Sequence, residues 1–204
     1  MNDLNKALGD ISSIRRQMAQ STEFRGYGPA TLVTTGVLAV AAAGTQEVCL
    51  PYPANHLAAY LTIWIGTAVL SAALIGAEMY ARTRRIHSGM ADEMIRMAVE
   101  QFLPSAAVGG LVTLVLVRAV PGSVWMLPGL WQVIFSLGVF SSCRFLPRSM
   151  AMAGAWYLLT GLSTIALGDN RALSPWTMGI AYGVGQVIVG GILYFSRREQ
   201  GYDS

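Results

Sequence analysis

Between Leu57 and Tyr80 the chain carries a single charged side chain, Glu78, in a run otherwise built from Leu, Ala, Ile, Val, Thr, Ser, Gly, Trp, Tyr and Met. A helix of about 20 such residues matches the ~30 Å hydrocarbon core of a bilayer. Inside that core a backbone has no water to bond to, so a helix is the form a single run of this kind can take. The rest of the 204-residue sequence has the same character, with 53% hydrophobic and 12% charged residues. Soluble domains carry about twice that share of charge. The fold class expected is therefore all-α, a polytopic membrane protein.

Six spans follow from the spacing of the apolar runs. Gly28 and Pro29 open the first, since proline is tolerated in a helix's first turn. Its run of small residues is short, and reaching membrane length requires continuing through Gln46 and Glu47. The second runs from Leu57 to Tyr80, the third from Met97 to Arg118, the fourth from Trp125 to Cys143, and the fifth from Ser149 to Gly168. Ser174-Pro175 opens the sixth, which ends near Ser196, before Arg197 and Arg198. The chain thus divides into a polar segment, residues 1–28, a six-helix domain, residues 29–196, and a tail, residues 197–204.

Arginine and lysine orient these spans. Lys6, Arg15, Arg16 and Arg25 precede the first; Arg82, Arg84, Arg85 and Arg96 separate the second from the third; Arg144 and Arg148 separate the fourth from the fifth; Arg197 and Arg198 follow the sixth. The opposite side holds only Arg118 and Arg171. Basic loops stay in the cytoplasm, which places both termini there, in a bacterial-type inner membrane. Trp125, Trp131 and Trp176 then fall near the outer interface. Short basic clusters beside apolar runs set topology rather than bind nucleic acid. Residues 1–28 lack the apolar stretch of a cleaved signal, so the first span is expected to be retained.

Leu4, Ala7, Leu8, Ile11, Ile14 and Met18 repeat at helical spacing, which predicts an amphipathic helix on the cytoplasmic side. It suits an anionic leaflet, a partner helix or the protein's own cytoplasmic face equally well. Cys49 and Cys143 fall at opposite ends of their spans, too far apart for a disulfide. A weak internal echo pairs Gln132-Val133-Ile134, with Arg144 following, and Gln186-Val187-Ile188, with Arg198 following at the same interval. Chance likeness between two apolar helices explains such an echo better than duplication of a two-helix hairpin.

Several membrane chemistries are not expected. Only His56 and His87 are present, both outside the spans, so an inter-helix haem lacks axial ligands. The sole lysine, Lys6, rules out a buried Schiff base. His and Cys are too scattered for catalytic zinc, and no nucleophile pair or phosphate loop occurs. The expectation is a protein without a cofactor and without enzymatic activity.

One constellation stands out. Glu78, Arg82 and Arg85 share a face of the second span, and Glu93, Arg96 and Glu100 share a face of the third. Folding this hairpin about Ser88-Gly89 brings Glu78 level with Glu100 and Arg82 level with Arg96. Pro104, lacking an N–H, leaves the Glu100 carbonyl without its helical donor. These four residues are a candidate proton or cation site, with Gln132 and Gln186 as candidates for lining a route. Plain Glu–Arg pairs that fix the hairpin are the competing reading.

The function expected is a small-solute, proton or cation transporter. The alternative is a non-catalytic scaffold or accessory subunit. Its support is the small-residue spacing of Gly179 and Gly183, Ala181 and Gly185, Ala72 and Gly76, and Ala106 and Gly110. Beyond the lipid bilayer, the partners it allows are another membrane protein or a second copy of the chain.

Overall fold

A computed structural model describes residues 28–86, 91–143 and 149–202. Among them there is no strand, and six helices carry the fold: α1 Pro29–Cys49, α2 Leu57–Ile86, α3 Ala91–Ala119, α4 Leu127–Ser142, α5 Met150–Ala166 and α6 Pro175–Tyr202. The amphipathic helix expected over Leu4 to Met18, the Ser88-Gly89 turn and the turn from Arg144 to Arg148 lie outside the described residues. Five segments are long and apolar enough to cross a membrane: Pro29–Cys49, Leu57–Ala81, Phe102–Ala119, Pro121–Ser142 and Pro175–Phe195. Met150–Ala166 is apolar but shorter, at 17 residues.

The helix limits have local causes. Gly28 is the N-cap of α1 and Pro29 occupies its first turn. The helix does continue through Gln46 and Glu47, ending at Cys49 ahead of Pro51, a residue type that disfavours helix before it. Gly168, at φ 71°, takes the left-handed conformation that ends α5. Asp169 then accepts the backbone N–H of Arg171 at 2.9 Å and its Nε at 2.8 Å, closing the turn before α6. Threonines within the apolar helices return their hydroxyls to carbonyls four residues back, as Thr34, Thr45, Thr62, Thr67 and Thr113 do. This satisfies a polar group without a partner helix.

The helices form a closed circuit in which each touches the next and α6 returns to α1. Two neighbours, α1 with α6 and α4 with α5, approach most closely. Glycine permits it. A Cβ on Gly36 would stand 2.9 Å from the Gly183 carbonyl oxygen, and one on Gly161 would stand 2.8 Å from that of Gly129. Along α1 and α6, Gly179 meets Ala43, Gly183 meets Val40, and Gly190 meets Val33 and Pro29, so the pair is antiparallel.

Two apolar clusters lie inside this circuit. Near the end formed by the 50–56 and 167–174 connections, here called the far end, Ala42, Ala43, Leu50, Tyr60, Trp64, Leu173 and Met178 are buried together. Toward the near end, where α1 begins, lie Leu32, Val139, Met150, Ala153, Tyr157 and Leu193. Tyr182 packs on both. In contrast, α2 and α3 show broad apolar faces outward, including Val69, Leu70 and Leu74 on α2 and Val108, Leu111, Leu114 and Val115 on α3. Contiguous exposed apolar surface of this extent marks a lipid-facing or interaction surface.

Candidate functional site: a buried polar line beside α6

The described residues show one contact for each of the two glutamates of the charged constellation. The Glu78 carboxylate is half-buried and sits against Gly28, with Oε1, Cδ and Oε2 filling the space a Cβ there would take. It therefore lies at the N-terminal end of α1, where unpaired N–H groups and the helix dipole favour a negative charge. A side chain at position 28 would have to displace this flexible carboxylate. Glu100 accepts a 2.6 Å hydrogen bond from Arg96 Nε on its own helix, with both side chains mostly exposed. Exposed pairs of this spacing contribute little to stability. Arg82 lies on α2, and its side chain is outside the described residues. Pro104 is accommodated inside a continuous α3.

The two glutamines have a different environment. Gln132 is fully buried, and its Nε2 donates to the Thr177 carbonyl at 3.1 Å and faces Met178 Sδ at 3.9 Å. A backbone carbonyl can only accept, so the amide orientation is fixed and Oε1 points elsewhere. Among the described residues that oxygen has no hydrogen-bond partner. Gln186 is buried, and its Oε1 is likewise without one. The hydroxyls of Tyr60 and Tyr157, both fully buried, complete the set. Buried polar atoms in native proteins find a protein partner, an ordered water or a ligand, so these four oxygens are the places in the described bundle where a water or a polar solute would bond.

These groups are arranged around one stripe of α6. Met178, Tyr182 and Gln186 are spaced four residues apart and so share a helix face. The Tyr182 ring packs against Tyr157, with centroids 5.3 Å apart, and against Phe135 at 5.6 Å; Phe135 meets Tyr157 edge-on at 4.8 Å. The hydroxyl end of Tyr157 reaches Gly185, next to Gln186, and Trp156 donates to the Ala181 carbonyl at 2.9 Å. Nearer the far end, Gln46 is satisfied on both sides: Nε2 donates to the Leu173 carbonyl at 2.8 Å and Oε1 accepts the Trp64 indole N–H at 2.7 Å. That amide ties α1, α2 and the entry to α6 together.

The echo around the glutamines has a structural counterpart. Gly36 of α1 packs on the Gly183 carbonyl and on Gln186 Cβ, at 2.9 and 3.0 Å from an added Cβ; Gly161 of α5 packs on the Gly129 carbonyl and on Gln132 Cβ at 2.8 and 3.0 Å. A Gly-x-x-Gln step on one helix thus receives a glycine of an antiparallel neighbour, twice. Gln132 and Gln186 occupy equivalent places in two equivalent pairs.

Sequence reasoning singled out both glutamines but not Tyr60, Tyr157, Tyr182 or Gln46. A signal was available in the Met178, Tyr182, Gln186 spacing and in the glycine three residues before each glutamine. Among the described residues no group of His, Cys, Asp and Glu side chains is placed to hold a metal ion. Compared with known proteins, the sequence matches no family model, no curated protein and no solved structure.

Proposed function

We propose that this chain is a small-solute transporter of six membrane-crossing helices, with both termini on the cytoplasmic side of a bacterial-type inner membrane. The observation that carries the reading is the set of four buried, unpartnered polar atoms on Tyr60, Gln132, Tyr157 and Gln186. A bundle core built only for stability would replace such groups with apolar ones, because an unmet buried hydrogen bond is costly. The count of six is supported by geometry. At 1.5 Å per residue α5 is about 25 Å long, and it runs antiparallel to α4, with Gly161 on Gly129 and Gly154 on Phe140. It returns the chain to the far end, where α6 must begin to run antiparallel to α1.

The test is uptake by proteoliposomes of purified protein. Gln132→Leu and Gln186→Leu should abolish uptake, and unchanged uptake in both would refute the site. Glu78→Gln and Glu100→Gln form a separate arm. Loss of uptake there places proton or cation coupling at the near end, and retention assigns those carboxylates to the local contacts described above.

A second reading, an accessory subunit, is favoured by α2 and α3. Added Cβ atoms at Gly76, Gly109 and Gly110 would meet nothing within 4 Å. Small residues left open on outward helices suit a neighbouring membrane helix. Migration as a lone monomer in blue native electrophoresis after mild extraction counts against that reading.

A further inference from the structure

We propose that the polar line beside α6 is a track for an uncharged small solute rich in hydrogen-bond donors, of the urea, amide or polyol type. This rests on the transporter reading above. Two of its four unpartnered groups, the Gln132 and Gln186 carbonyl oxygens, can only accept; the hydroxyls of Tyr60 and Tyr157 can do either. A ligand satisfying them all must therefore bring donors to two amide oxygens. An ionised carboxylate brings none.

The charge pattern favours a neutral solute over a cation. Among the charged side chains described, Glu47, Arg118, Asp169 and Arg171 stand at helix ends or in connections, Glu78, Arg96 and Glu100 lie within α2 and α3 toward the near end, and none of them contacts Gln132 or Gln186. An ion at its centre would face amides, phenols and aromatic rings with no countercharge, and a bare charge at membrane depth is costly. An uncharged donor meets no such barrier.

The two glutamines are spaced along α6. Gln132 stands opposite Thr177 and Met178, and Gln186 lies about two turns further along α6, roughly 12 Å away by helix rise. The repeated Gly-x-x-Gln packing makes them two stations of one kind, with Tyr182 between them. Conduction favours several weak sites over one tight site, because a solute must leave as readily as it enters.

Stopped-flow light scattering of proteoliposomes tests this, with separate arms for urea, glycerol, water, potassium acetate and ammonium chloride. The expected result is entry of urea or glycerol above protein-free vesicles, the two arms separating amide from polyol preference, without entry of either salt. Gln186→Leu should lose that entry. Because that variant alters a helix contact, Tyr157→Phe serves beside it. It deletes only an unpartnered hydroxyl, so its melting temperature should hold or rise while entry of the neutral solute falls. Entry of a salt without urea or glycerol overturns the solute class and leaves the transporter reading standing. Entry of water alone, or full solute entry in both variants, overturns the track. Entry of nothing removes the transporter reading and the inference with it.

Discussion

Replacing Gln46 by leucine removes a side chain that joins α1 to both α2 and the start of α6. The change strands two buried groups, the Leu173 carbonyl, which is fully buried, and the Trp64 indole N–H, on a residue 3% exposed. A buried group that loses its partner costs about 1–3 kcal/mol. Hydrogen bonds between membrane helices average nearer 0.6 kcal/mol in mutational cycles, because the unfolded helices also find partners in the bilayer. Two stranded groups, partly offset by the added apolar side chain, give an expected loss of about 2–3 kcal/mol. Trp64→Phe leaves Gln46 Oε1 unpartnered and should cost about 1–2 kcal/mol. The double variant should cost less than the sum by about 1 kcal/mol, since the second change removes a bond already broken. Circular dichroism during denaturation in mixed SDS micelles measures all four proteins. Costs that simply add would show that the 2.7 Å bond carries no coupling and refute the reasoning.

Further expectations follow from other contacts. Gly36→Ala and Gly161→Ala should each destabilise by about 1–3 kcal/mol, because the added methyl meets a backbone carbonyl that cannot move aside. Gly44→Ala, with open space around it, should be neutral or mildly stabilising in the same denaturation assay. Gly168→Ala should cost about 1 kcal/mol through the left-handed backbone alone, since no atom crowds the position. The Asp169 carboxyl is held below the usual carboxylate range, first by the Arg171 side-chain hydrogen bond and then by the Arg171 backbone N–H. Its support of the turn is therefore present above the ordinary carboxylate pKa and fades as pH falls through the lowered value. Arg171→Ala should move the titration of Asp169 upward, read by carbon NMR of labelled aspartate.

Much of the architecture was legible in the apolar runs, because membrane length and the breaks at Pro51, Val120-Pro121-Gly122 and Gly168 leave little freedom in where helices begin and end. Pairing was not legible. Gly179 and Gly183 share their spacing with Ala72 and Gly76 and with Ala106 and Gly110, yet the first pair is locked against α1 while Gly76 and Gly110 face open space. Spacing on one helix says that a close approach is possible; which partner takes it depends on residues far away in the chain. Glu78 shows the same limit. Its spacing on α2 says nothing of Gly28, yet its carboxylate lies there, a contact set by how α1 and α2 end together. Gln132 and Gln186 were visible as polar residues in apolar helices, but their unpartnered oxygens emerge only once Thr177 and Met178 have taken up the other end of the Gln132 amide.

The close approach of α1 to α6 also sets a schedule for synthesis. About 125 residues separate Cys49 from Pro175, and a ribosome adds roughly 5–20 residues per second. The first helix to enter the membrane therefore waits on the order of ten seconds for its main neighbour. During that interval Gly36, Ala39 and Ala43 face lipid or a borrowed surface. A chaperone or an insertase cavity that shelters such a face would have its longest task here, and a chain truncated before residue 175 would present it indefinitely to quality-control proteases.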